Sequence, residues 1–173
     1  MIKSLTLSDV FPSLYAEEPS QLELQAYGPD KGIQFDSHIR TEYVLRDGEL
    51  EIEFQFHQVN PPDHWFGLIF RAGSHPFLGS HLILLRSNGS VELVGFPGPR
   101  PIETLGTVGA ISGRVLVNIQ FENDFLELSL GNTTLRSKRL SHQSVGRVFL
   151  AAYGANVSVF SAKAICRDTI EWS

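Results

Sequence analysis

GELEIEFQFHQ, residues 48–58, alternates with period two: Leu50, Ile52, Phe54 and Phe56 on one side, Glu49, Glu51, Glu53, Gln55 and His57 on the other. Successive side chains of a β-strand point to opposite faces, so the stretch reads as an amphipathic strand with one face in a core and one in water. Its polar face carries three carboxylates in a row. Whether they form a catalytic row, a ligand-binding row or only a wetted surface is the functional question of the chain.

The neighbouring segments extend the β reading. Strands are expected at 21–26, 32–36, 41–45, 48–57, 65–72, 80–87, 90–95, 114–122, 125–130, 133–139, 147–153 and 156–166. No dozen residues hold the i, i+3, i+4, i+7 apolar spacing of a helix. SNG (87–89), END (122–124) and GNT (131–133) are tight hairpin turns, which imply antiparallel meanders. WFGLIF (65–70) and HLILL (81–85) are apolar on both faces, so they belong at the centre of a sheet or under a cover. NPPDH (60–64), GFPGPRP (95–101) and the glycine-rich 104–113 read as loops. Together these features predict an all-β jelly-roll-like sandwich of two antiparallel sheets, forming a single domain over 1–173.

Composition narrows the function. The chain has 173 residues, 42% hydrophobic and 19% charged, which suits one folded domain. A net charge of −5 without a basic run argues against binding nucleic-acid backbones. One cysteine, Cys166, excludes an internal disulfide and any zinc site built from several thiolates. The start has no apolar h-region and no stretch reads as a membrane span, so the chain as written reads as cytoplasmic with no membrane partner; it reads equally as a domain of a larger protein with its signal elsewhere. His57, His64, His75 and His81 lack the H-x-H or H-x-x-x-H spacing of a metal site, and neither metal nor cofactor is expected. Asn88, Asn132 and Asn156 begin glycosylation-type triplets but read as turn residues.

Two chemistries fit the acidic strand. Carboxylates two residues apart on one strand face lie about 6.5–7 Å apart along the backbone, and their side chains can converge toward the spacing of a retaining glycosidase. A carboxylate beside a guanidinium and an aromatic face is equally suited to hydroxyls and the C–H side of a sugar ring. Arg71 closes an apolar strand and needs a partner if buried. A glutamate of the 48–57 strand is the expected one.

The order L-E-I-E-F, G-L-I-F-R-A, L-I-L-L-R-S-N-G-S-V-E-L and the closing G-R-V-F-L-A-A-Y-G-A-N-V-S-V-F-S-A-K-A resembles the concanavalin A-like lectin/glucanase sandwiches. Within them it is similar to carbohydrate-binding modules found beside fructan-degrading hydrolases and to keto-disaccharide hydrolase-like domains. The resemblance covers about 41–165 and implies a non-catalytic carbohydrate-binding domain. Its ligand patch would comprise Glu51, Glu53, Arg71, His81 and Tyr153, with His81-Leu82 standing where relatives carry a tyrosine pair. The strand also resembles the acidic strand of laminarinase-type glycoside hydrolases. That likeness implies the alternative, an enzyme with Glu49 as nucleophile and Glu53 as general acid, Glu51 replacing the usual middle aspartate. A third reading is a structural or assembly domain. Carbohydrate is the expected partner, with a hydrolase or a second copy of the chain as further candidates.

Overall fold

The computed structural model describes residues 3–5, 22–35, 47–61, 63–73, 77, 79–95, 100–140 and 146–166. The expected strand at 41–45 and the side chain of Cys166 lie outside the described residues. The described residues contain no helix, and so none long and apolar enough to cross a membrane.

Among the described residues thirteen strands are formed: β1 Lys3–Leu5, β2 Leu22–Gln25, β3 Ile33–Phe35, β4 Gly48–Val59, β5 Trp65–Ala72, β6 His81–Leu85, β7 Ser90–Gly95, β8 Arg100–Thr107, β9 Arg114–Glu122, β10 Phe125–Leu130, β11 Thr133–Ser137, β12 Arg147–Tyr153 and β13 Ala155–Cys166. They make two antiparallel sheets. Sheet A runs β1-β13-β4-β9-β10-β11, with β2 pairing the same edge of β13 as β1. Sheet B runs β3-β12-β5-β6-β7-β8.

The decisive strand lies where its pattern requires. β4 is central in sheet A, between β13 and β9. Leu50, Ile52, Phe54 and Phe56 are buried, while Glu49, Glu51, Glu53 and Gln55 are half-exposed on the outer face. The inner faces of the sheets meet through aromatic pairs: Phe54 on Phe66 at 4.5 Å between ring centroids, and Phe70 on Phe121 at 4.8 Å. Sheet-on-sheet packing of alternating strands accounts for this core.

β5 and β6, apolar on both faces, are interior strands of sheet B. Their inward residues Phe66, Leu68, Phe70, Ile83 and Leu85 join the main core. Their outward residues Ile69, Leu82 and Leu84 form a second cluster with Val94, Phe149 and Ala151. The three hairpin turns hold as read. Gly89, Asn123 and Gly131 adopt positive φ of 91°, 53° and 59°, the backbone such turns need. Asn88 is a turn residue, its Oδ1 accepting from the Ser90 N–H at 2.9 Å.

Two strands were not expected. β8 occupies the end of one predicted loop and the start of the other. Among the described residues it is an edge strand paired only to β7, with two register shifts. An edge tolerates Pro101, which has no N–H to donate, and Gly106. The resulting irregular sequence hides the strand from a periodicity reading. β1 is three residues long and shows no period at all. Beyond β8 the chain does hug the sandwich. Val108 and Ile111 donate their N–H groups to the Gly89 and Ser87 carbonyls, and the Ile111 side chain is buried.

Candidate functional site

The outer face of sheet A is a polar surface laid out in rows by the strand register. Glu49 stands opposite Gln120, which stands opposite Glu127 and then Arg136. Glu51 is followed by Asn118, Ser129 and Thr134. Glu53 is followed by Leu116. Each glutamate reaches this face because its strand alternates inward apolar residues with outward polar ones.

Side-chain contacts organise the rows. Asn118 Nδ2 donates to Glu49 Oε1 at 2.6 Å. Arg136 Nε donates to Glu127 Oε2 at 2.8 Å. The Ser129 and Thr134 hydroxyls share a hydrogen bond of 3.2 Å. Arg114 Nε donates to Glu53 Oε1, and the same guanidinium lies 3.8 Å from the centroid of the Phe160 ring. Phe160 owes its place to a β-bulge: the β13–β4 register shifts between Val159 and Ser161. The arrangement is a carboxylate, a guanidinium and an aromatic ring in one exposed cluster.

Beside this cluster is a hollow of about 500 Å³ lined by Val115, Leu116, Asn118, Ser129, Leu130 and Gly131. That volume lies within the usual range for small-molecule sites, about 300–1,000 Å³. Leu116, 46% exposed, supplies an apolar wall. Asn118 and Ser129 supply donors and acceptors.

The five residues expected to form one ligand patch are divided among three places. Glu51 and Glu53 lie on the outer face of sheet A. Arg71 and His81 are buried at one end of sheet B, 2% and 4% exposed. Tyr153 lies at the far end of β12, on the outer face of sheet B beside Trp65. The expected pairing of Arg71 with a glutamate of β4 is corrected. β4 and β5 belong to opposite sheets, and Arg71 Nη2 meets Asp47 Oδ1 at 3.4 Å instead. Strict alternation would turn Arg71 outward, away from the core. A bulge reverses it: the β5–β12 register shifts opposite Phe70 and Arg71, and Arg71 takes φ 54°. Its guanidinium then sits 5.7 Å from the centroid of the Phe121 ring, inside the sandwich.

His81 faces Phe70, with ring centroids 5.6 Å apart. Burial first, and the Arg71 charge second, hold its pKa down at about 4. An unfolded histidine titrates near 6.5. The native state therefore binds fewer protons than the unfolded one between these values. The stability that neutral His81 allows is complete above about pH 6.5 and is lost as pH falls toward about 4, up to about 3 kcal/mol. Urea unfolding of wild type and His81→Phe at pH 7 and pH 4.5 checks this. The wild type loses more stability on acidification, and the difference between the two proteins isolates His81 from the titrating carboxylates. Burial lowers the pKa of His64 as well, while its Nε2 accepts from the Ser87 N–H at 2.9 Å.

One further constellation combines serine, histidine and carboxylate. The Ser158 hydroxyl donates a forked bond to Glu23, 2.8 Å from each oxygen, and contacts His57 Nε2 at 2.5 Å. The serine stands between the histidine and the carboxylate and is fully buried. Nucleophile activation needs the histidine in the middle and an accessible hydroxyl, so this network ties β2, β13 and β4 together instead. Among the described residues, no group of three or more His, Cys, Asp or Glu is gathered closely enough to hold a metal ion.

Reading the sequence alone missed Arg114, Leu116, Asn118, Ser129 and Phe160. Leu116 carried a signal: VLV at 115–117 is apolar on both faces of an otherwise alternating strand. The others become visible only through the register.

No protein-family model and no curated protein matches the sequence. Solved structures do. The carbohydrate-binding module CBM66 from Bacillus subtilis superposes with a TM-score of 0.66 at 14% identity, over 92% of this chain and 94% of that one. A prokaryotic β-1,3-1,4-glucanase (lichenase) from a mouse hindgut metagenome gives 0.60 at 7% identity, over 96% and 99%. A Bacillus licheniformis β-glucanase gives 0.52 at 9%, over 86% and 78%. The facing antiparallel sheets and these superpositions make the chain a concanavalin A-like β-sandwich.

Proposed function

We propose that the chain is a carbohydrate-binding domain whose site is the outer face of sheet A. The observation that carries this reading is the hollow at Leu116, Asn118 and Ser129, flanked by Glu51 and Glu53 on the adjoining strand. Sugars present hydroxyls on their rim and C–H groups on their faces. Glu51, Asn118 and Ser129 suit the first, Leu116 and the Arg114–Phe160 stack the second. The named carbohydrate-binding module among the similar structures supports the same class of ligand.

Calorimetry against fructans, β-glucans and galactosides tests the reading. Wild type binds at least one of them at millimolar concentrations or below. Glu51→Gln and Asn118→Ala each weaken that binding about tenfold, the effect of losing one hydrogen bond to a charged or polar group. Absence of heat with every glycan, or unchanged affinity in both variants, rejects it.

A second reading is favoured by the position of Glu49 and Glu53, both facing outward from the central strand of the sheet, and by the β-glucanases among the similar structures. It is a glycoside hydrolase using these two carboxyl groups. Each is held sideways toward β9, by Asn118 and Arg114 respectively, an arrangement equally suited to orienting a ligand. Release of aryl alcohol from an aryl glycoside by wild type, abolished in Glu49→Gln and in Glu53→Gln, distinguishes the enzyme. Equal background rates in all three leave binding alone.

A further inference from the structure

The outer face of sheet B carries an aromatic surface that the glutamate face does not use. Trp65 and Tyr153 are cross-strand partners on β5 and β12, and their rings stack with centroids 6.0 Å apart and an interplanar angle of 27°. Ile33, the next residue in that row, is 40% exposed and Tyr153 37%. Gly67 determines how the indole lies. A Cβ there would come within 2.7 Å of both Trp65 Cζ3 and Leu82 Cδ1. The six-membered ring of the indole therefore reclines over the glycine, beside Leu82 and against the apolar cluster that Leu82 belongs to. Beside it, Arg86 follows the last β5–β6 ladder pair, Phe66 with Leu85, and forms a 3.0 Å ion pair with Glu92. Both charged side chains are partly exposed.

A reclining indole, a stacked phenol and an accessible guanidinium–carboxylate pair have the chemistry of a sugar-ring platform. The rings meet the C–H face of a saccharide, and the Arg86–Glu92 pair meets its hydroxyls. We propose that this surface is a second carbohydrate-binding site, independent of the one on sheet A. Stacked sheets lie about 10 Å apart and their outer faces point in opposite directions, so a single sugar residue cannot touch both. One copy of the domain then engages two glycan chains, which raises its hold on an insoluble or branched polysaccharide by avidity.

The chain has two tryptophans, Trp65 and Trp172. In a Trp172→Phe protein, Trp65 is the sole indole reporter. Titration with laminarihexaose, cellohexaose or an inulin oligosaccharide changes its emission saturably with at least one of them. Tyr153→Ala in the same background, chosen because the residue is 37% exposed, weakens that titration about tenfold. Glu51→Gln leaves it unchanged. Emission unmoved at millimolar concentrations of all three sugars overturns the proposal. So does a signal lost in Glu51→Gln, which places the ligand on sheet A alone. A dimer in light scattering that Tyr153→Ala dissociates also overturns it, because the platform is then a contact between copies. Calorimetry on Trp65→Ala separates the two sites: binding that depends on Glu51 survives there whether or not the platform binds sugar.

Discussion

Arg71→Ala unfolds with a stability loss of about 3–5 kcal/mol, the usual cost of removing one member of a buried ion pair. Three features of the site support a value in this range. The Arg71 side chain is fully buried, and its partner Asp47 is half-buried at 14% exposure. Asp47 also accepts from the Asn123 N–H at 2.9 Å, so the pair joins the end of β5 to the β9–β10 turn of the opposite sheet. The guanidinium packs over Phe121, and truncation leaves a void there as well as a half-buried carboxylate that has lost this guanidinium. Urea unfolding at pH 7 reads the loss as a lower midpoint at unchanged slope. Arg71→Lys retains the charge but not the planar fork, and falls between wild type and alanine. A loss below about 1 kcal/mol for alanine is the cost of an ordinary surface substitution and would show that the pair is not structural.

Phe54→Ala costs a similar amount, about 3–5 kcal/mol, by a different mechanism. Phe54 is fully buried at the middle of β4, with Phe66 across the sheets at 4.5 Å and Phe56 edge-on at 5.6 Å. The rings on both sides belong to regular strands, which cannot close the space left behind. Phe54→Leu keeps most of the volume and costs less than about 1.5 kcal/mol. Thermal unfolding of the two variants side by side gives the comparison. Equal midpoints for alanine and leucine would show that the site collapses freely and that the sheets are not held apart by their neighbours.

Sequence reading succeeded where one strand pattern was enough. Leu50, Ile52, Phe54 and Phe56 pointed inward because period two leaves them no other choice, and the same rule put Glu49, Glu51 and Glu53 outside. The double-sided apolar content of β5 and β6 likewise placed both inside sheet B. It failed where backbone departs from period two. The bulge that turns Arg71 inward has no glycine to announce it, since Arg71 itself takes the positive φ. β8 was hidden by the same proline and glycine that an edge position accommodates. The candidate site was half legible for a related reason. Its glutamates lie on one strand, but Asn118 and Arg114 come from β9, and Ser129 from β10. Which residue of β9 stands opposite Glu51 is fixed by register between segments far apart in the chain, and local pattern does not encode it.

β13 occupies a position with a consequence for how the protein is made. It is the last strand among the described residues, yet it lies between β4 and the pair β1 and β2, bonded to β4 along nearly its whole length. While a nascent chain has emerged only as far as β12, the edge of β4 that β13 will cover is open, and β1 and β2 lack the strand they pair with. An uncovered edge backed by Leu50, Ile52, Phe54 and Phe56 is a template for wrong pairing between chains. Sheet A is therefore completed late and through long-range contacts, which places its folding in the slow, milliseconds-to-seconds class of β-sandwiches.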